Sequence, residues 1–209
     1  MGAAPNQTRL TLLSRVRDTG DLAAWQEFES TYREMLVRFC LSQRVQHADA
    51  EDVVQVVFSN LAKTLPTFAY DPGRGRFRDY LFRATRNAIS GLFARKRPMT
   101  GVEGLSELGT GACCDAHESS SSPSPAEDQA WEREWVAHHY RRALAMVRSQ
   151  FEERSISLFE RNVSGVPVSL LAQEYGMSEE AVYKVRQRVR ARMQELIEEQ
   201  VRDEDRVDG

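Results

Sequence analysis

Apolar residues recur at steps of three and four through most of this chain. No stretch of any length alternates at the period of two that a half-buried strand requires. Trp25, Phe28, Tyr32, Met35, Leu36 and Phe39 fall on one helical face, which predicts an amphipathic helix starting near Asp21. The next periodic segment runs from a capping Asp49 to Leu65 and stops at Pro66. Its Val53-Val54-Gln55-Val56-Val57 run suits a strand, but the segment's length and the later Phe58, Leu61 and Leu65 favour a buried helix. A third helix is expected from Phe77 to Arg97, with Phe77, Leu81, Ala84, Ala88 and Leu92 inward and Pro98 ending it.

The pattern lapses over residues 101–124, where Gly, Ser, Pro and acidic residues dominate and neither Lys nor Arg occurs. Such a segment buries too little to offset the entropy of ordering, so a flexible linker over 100–124 is expected. Periodicity returns at Ser124-Pro125-Ala126-Glu127, a capping box with proline at the first helical position. Val136, Tyr140, Ala143, Leu144, Val147 and Phe151 then form a long apolar stripe, and Ser155 to Val163 makes a short helix closed by Gly165 and Pro167. The expected fold class is all-α, with two small helical domains over 8–99 and 125–201 joined by the linker.

Composition narrows the class. Of 209 residues 41% are hydrophobic, enough for a core in each domain. No apolar run approaches the ~20 residues of a membrane helix, so a cytoplasmic protein without membrane insertion is expected. Three cysteines, two of them adjacent at Cys113 and Cys114, make a poor disulfide framework and fit a reducing compartment. No second ligand pair stands at zinc spacing from them, and no cofactor is expected.

The formal net charge is −3, yet the charge is unevenly spread. Arg74, Arg76, Arg78, Arg83, Arg86, Arg95, Lys96 and Arg97 stand against Asp79 alone, and Lys184, Arg186, Arg188, Arg190 and Arg192 form a second basic run. Local fields of this kind attract phosphate whatever the total.

Two constellations carry the functional reading. In the first, Ala172, Gly176, Val182 and Val185 meet the needs of a helix-turn-helix: a small residue at the crossing, a turn residue tolerant of positive φ, and apolar residues seating the second helix. Ser178 can cap that helix, and Tyr183, Lys184, Gln187 and Arg188 project from it toward a major groove. A helical hairpin with a solvated basic face has the same pattern, but here the basic run falls on the reader helix. In the second, a turn-rich loop bearing Phe68 and Tyr70 leads into a helix with Arg76, Tyr80, Arg83 and Asn87. Aromatic faces stack unpaired bases while arginines track phosphate, a combination suited to single-stranded DNA. Phe77 and Phe82 are expected in the core.

Three segments in order, Asp49-Ala50-Glu51-Asp52-Val53-Val54-Gln55-Val56-Val57-Phe58, then Gly75 through Asn87, then the helix-turn-helix, resemble the extracytoplasmic-function (group 4) sigma factors of bacterial RNA polymerase. The resemblance covers nearly the whole chain outside the linker and tails. It implies a transcription-initiation factor that is not an enzyme. Its partners are core RNA polymerase and promoter DNA, both duplex and single-stranded. Glu51, Asp52 and Gln55 would dock on the clamp coiled coil of the largest subunit, and the β flap would be a second contact. Phe68, Tyr70, Arg76, Tyr80, Arg83 and Asn87 would hold the opened −10 element, and Tyr183, Lys184, Gln187 and Arg188 would read the −35 element. The family also admits an anti-sigma partner. Val56 stands where many members have Glu, and Tyr183-Lys184 replaces a frequent basic-Ser pair, so promoter sequence does not carry over. A helix-turn-helix regulator acting without polymerase is the alternative; it explains the second half of the chain but not aromatics beside arginines in the first. Neither a nucleotide-cradling glycine loop nor a metal-ligand pair favours an enzyme, and His138 and His139 are neighbours expected on different helix faces.

Overall fold

The computed structural model describes residues 12–18, 20–65, 76–96 and 122–205. These residues form helices α1 (Leu12–Val16), α2 (Leu22–Ser42), α3 (His47–Thr64), α4 (Phe77–Lys96), α5 (Pro125–Arg148), α6 (Glu153–Val163), α7 (Val168–Tyr175) and α8 (Glu179–Asp205), with no strand among them. The fold is all-α. Contacts divide the chain into two compact units, one of residues 1–134 with 203–209 and one of residues 135–202. The segment 97–121, most of the expected linker together with Cys113 and Cys114, lies outside the described residues, as do Phe68 and Tyr70.

In the first unit, α2 begins where expected. The Asp21 carboxylate accepts a hydrogen bond from the Ala24 amide at 2.8 Å and pairs with Arg15 at 3.2 Å. That amide first, and Arg15 second, hold the carboxyl below its usual range. The helix buries Phe28, Tyr32, Met35, Leu36 and Phe39, the face read from the periodicity, with Trp25 half-buried at its margin. The ring of Phe28 lies 4.9 Å from that of Tyr32, 6.0 Å from Phe58 and 5.9 Å from Phe77, so it ties α2, α3 and α4 together. A second ring cluster joins Phe39 to Phe82 at 5.8 Å and to Trp131 at 5.0 Å. Between α2 and the end of α8, the buried Tyr32 phenol donates to the buried Glu204 carboxylate at 2.7 Å.

Two local expectations need correction in this unit. The cap of α3 is Gln46, in extended conformation and without a side-chain cap bond, while Asp49 sits inside the first turn and pairs with Lys96. Val45 is buried just ahead of the helix, and this anchor lets the chain turn helical at His47. On α4 the inward residues are Phe77, Leu81, Thr85 and Ile89, whereas Ala84, Ala88 and Leu92 flank them half-buried. A fully buried threonine is tolerated because its hydroxyl donates to the Leu81 carbonyl at 2.8 Å, leaving no unpaired polar group. The α3 run is helical, with Val53, Val54 and Val57 buried and Gln55 and Val56 exposed.

The α5 capping box forms reciprocally: the Ser124 amide donates to Glu127 Oε2 at 2.8 Å, and the Glu127 amide donates to Ser124 Oγ at 3.2 Å. Val136, expected in the apolar stripe, is exposed instead; the buried face carries Trp131, Trp135, Ala143 and Val147, the indoles covering more area than a valine could. The second unit closes around Ala143, Val147, Ile156, Leu158, Leu171, Val182, Val189 and Leu196. Gly176 ends α7 at φ +61°, in the left-handed region. The following amide, of Met177, donates back to the Ala172 carbonyl at 3.0 Å. A Cβ at Gly176 would meet nothing within 4 Å, so the demand for glycine is conformational. Gly176→Ala is therefore expected to lower stability by about 1–2 kcal/mol through the left-handed backbone alone, read as a shift in the urea midpoint at unchanged slope.

Candidate nucleic-acid interface

The turn at Gly176 sets the direction of α8. Ala172, Val182 and Val185 are buried at the crossing of α7 and α8, and Ser178 Oγ accepts from the Ala181 amide at 3.2 Å, capping α8 as its position suggested. With Val182, Val185 and Val189 seated inward, the 3.6-residue period leaves Tyr183, Lys184, Gln187 and Arg188 exposed together. Lys184, Gln187 and Arg188 border an open groove floored by Met177, Ala181 and Val185. Not every charge of the basic run is presented equally. Lys184 pairs with Glu180 one turn back at 2.7 Å, and Arg192 pairs with Glu195 at 2.9 Å, while Arg188 and Arg190 extend from the exposed side. On the other helices, Val163 and Leu170 stand exposed at the end of α6 and in α7.

In the first unit, Arg83 and Asn87 lie one turn apart on the exposed side of α4, with Ser90 following. Arg76 caps α4: its amide donates to Asp79 Oδ2 at 3.2 Å, which leaves its side chain outside the helix. Tyr80 stands differently from its expected role. It is half-buried, and its hydroxyl lies 2.8 Å from the Thr64 hydroxyl at the end of α3, so its polar tip is engaged within the protein. Several arginines of the first basic run are also engaged there: Arg78 pairs with Glu132, and Arg86 lies 3.7 Å from Glu127. Phe77 is buried and Phe82 packs in the Phe39–Trp131 cluster, as expected of core aromatics.

On α3, Asp52 and Gln55 are exposed, but Glu51 is half-exposed and ion-paired with Arg33 of α2. Asp52, Gln55, Val56 and Ser59 form one wall of a shallow groove whose other wall is Ala88, Leu92, Arg95 and Lys96 of α4. Sequence reasoning missed that second wall and the exposed Phe93 beside it on α4. The available signal was Phe93 itself, an aromatic off the periodic inward face.

His138 and His139 do not part as consecutive helix residues usually would. Both are buried, their rings 5.3 Å apart, and His139 Nδ1 lies 3.0 Å from Gln200 Oε1. Burial above all, with the nearby charges, lowers the His138 imidazole to about 3, which keeps it neutral at physiological pH. Burial likewise pushes the Cys40 thiol up to about 12, an inert core thiol. Among the described residues no cluster of His, Cys, Asp or Glu is arranged to hold a metal ion, and no helix is long and apolar enough to cross a membrane.

Residues 30–98, from the third turn of α2 through α4, match the family model Sigma-70 region 2. The match covers 69 of the 209 residues and is a likeness to region 2 of sigma-70 family sigma factors. A comparison with curated proteins gives no match.

Proposed function

We propose that this chain is a two-domain sigma factor of the extracytoplasmic-function type. Residues 8–99 dock on core polymerase and open the −10 element, residues 125–201 form a helix-turn-helix that reads the −35 element as duplex, and 100–124 join them. One observation carries the reading: in a chain with a Sigma-70 region 2 domain, α8 presents Tyr183, Lys184, Gln187 and Arg188 together on its exposed side, behind a left-handed glycine turn. Asp52 and Gln55 meet the clamp coiled coil, with Glu51 contributing once it exchanges Arg33 for the partner. Arg76, Arg83 and Asn87 face the opened −10 strand, and Phe68 and Tyr70 are assigned to the same contact by their residue types alone. Tyr80 takes part through the position it gives the start of α4. The exposed Val163 and Leu170 offer apolar surface for the β flap. The protein works in the cytoplasm.

Run-off transcription with purified core polymerase tests this reading against that of a regulator acting alone. A sigma factor gives promoter-specific transcripts and shifts duplex tightly only with core polymerase; a lone regulator shifts intact duplex unaided and gives no specific transcript. Docking is tested by Asp52→Lys combined with Gln55→Ala. Both side chains are exposed, so the fold should hold, and affinity for core polymerase should fall roughly tenfold or more through like-charge and lost amide contacts. Unchanged capture of core polymerase, with an intact circular dichroism spectrum, would remove α3 from the docking surface.

A further inference from the structure

Tyr183 is nearly half exposed, and an exposed tyrosine on a helix ordinarily samples more than one rotamer. Here it is held. The guanidinium carbon of Arg186, one turn along α8, lies 5.1 Å from the centre of the Tyr183 ring. Arg186 is itself fixed from another helix: its Nη1 donates to Asn162 Oδ1 of α6 at 3.2 Å. Asn162 has little freedom either, because its Nδ2 donates to the Val166 carbonyl in the turn after α6 at 3.1 Å. The three side chains form a chain of contacts from a rigid turn to the tip of the reader helix. Arg186 is thereby turned away from the phosphate role that its place in the basic run suggests.

From this geometry we infer that Asn162 is a positioning residue for promoter discrimination: through Arg186 it sets the orientation in which Tyr183 meets a base edge. The inference rests on the reading of α8 as the −35 reader. A ring fixed before binding discriminates between base edges, such as one with the thymine methyl and one without it, better than a ring that adapts to each. Arg suits this task where Lys would not, because its planar fork can stack on the ring and hydrogen-bond to the amide at once.

The test is selection of −35 sequences from a randomised duplex pool by holoenzyme assembled from core polymerase and the full chain. Parent, Tyr183→Ala, Asn162→Ala, Arg186→Met and Asn162→Asp are compared. Tyr183→Ala identifies the positions at which Tyr183 acts. At those positions, and not elsewhere, Asn162→Ala and Arg186→Met should reduce the preference ratio by roughly threefold to tenfold, as coupled neighbours do. Asn162→Asp keeps an acceptor for Arg186 but loses the bond to Val166, so it should retain more of the preference than Asn162→Ala does, even while lowering thermal stability. Arg186→Met leaves the turn at Val166 intact and answers the question if Asn162→Ala folds poorly. Preferences unchanged in both Asn162→Ala and Arg186→Met, an even loss across all positions, or an Asn162→Asp profile matching that of Asn162→Ala would overturn the inference and leave the reader helix standing. A parent holoenzyme without −35 preference, or one whose preference ignores Tyr183, would overturn the reading of α8 and this inference with it.

Discussion

Phe28→Ala is expected to cost about 3–5 kcal/mol of stability, the range for emptying a fully buried aromatic site. The ring is completely inaccessible and touches aromatic neighbours on its own helix and on α3 and α4. Its removal takes away the shared contact among three helices as well as its own transfer free energy. Urea unfolding followed by tryptophan fluorescence measures the loss, and Phe28→Leu should recover a large part of it by refilling the space. The proposed docking face on α3 and the proposed DNA-facing side of α4 both lean on this ring through Phe58 and Phe77, so on that proposal Phe28→Ala should also weaken polymerase binding near its unfolding midpoint. A loss below about 1 kcal/mol would mean that neighbouring side chains collapse into the space and that the three helices have other means of keeping their places.

The second large effect concerns function. Gln187→Ala and Arg188→Ala should each weaken −35 binding by about 1–3 kcal/mol where the side chain meets a base edge, and the loss should depend on the base at one position. If Arg188 instead meets phosphate, affinity falls evenly across sequences and the slope of log affinity against log salt becomes shallower by about 1. Holoenzyme binding to promoter duplex over a range of salt separates the two outcomes. Both side chains are exposed and border the groove beside Met177, so neither substitution removes a core contact. If neither variant alters affinity or salt dependence, α8 is not the element that enters the groove.

Much of this was legible in the residues. The 3.6-residue period gave the inward face of α2 from Phe28 to Phe39, the capping box gave the start of α5, and the spacing of Ala172, Gly176, Val182 and Val185 gave the α7–α8 turn. These features are local, set within a few residues of one another. What the sequence hid is which group each side chain pairs with or gives way to. Thr85 reads as polar until its hydroxyl is seen bonded within its own helix, and Val136 reads as core until Trp131 and Trp135 take the face. The same holds at the candidate sites. The types of Glu51 and Tyr80 were informative, but Arg33 and Thr64, which occupy them, are 18 and 16 positions away. A run of arginines shows how much charge there is; it does not show which guanidinium groups are spent on neighbouring carboxylates.

The Tyr32–Glu204 hydrogen bond has a consequence for the order of events during synthesis. Its partners are 172 positions apart, and residues 203–209 complete a unit whose other members all precede Trp135. At ~5–20 residues per second, a ribosome delivers Tyr32 on the order of ten seconds or more before its carboxylate partner exists. The first unit must therefore pass through a nascent state in which the residues of α2, α3 and α4 have been made and the Tyr32 phenol has yet to meet Glu204. The entropy of closing so long a loop grows only with the logarithm of its length, so the late bond adds little thermodynamic burden. Its mark is kinetic: a final, non-local step that raises contact order and slows completion of a domain otherwise made of fast, local helices.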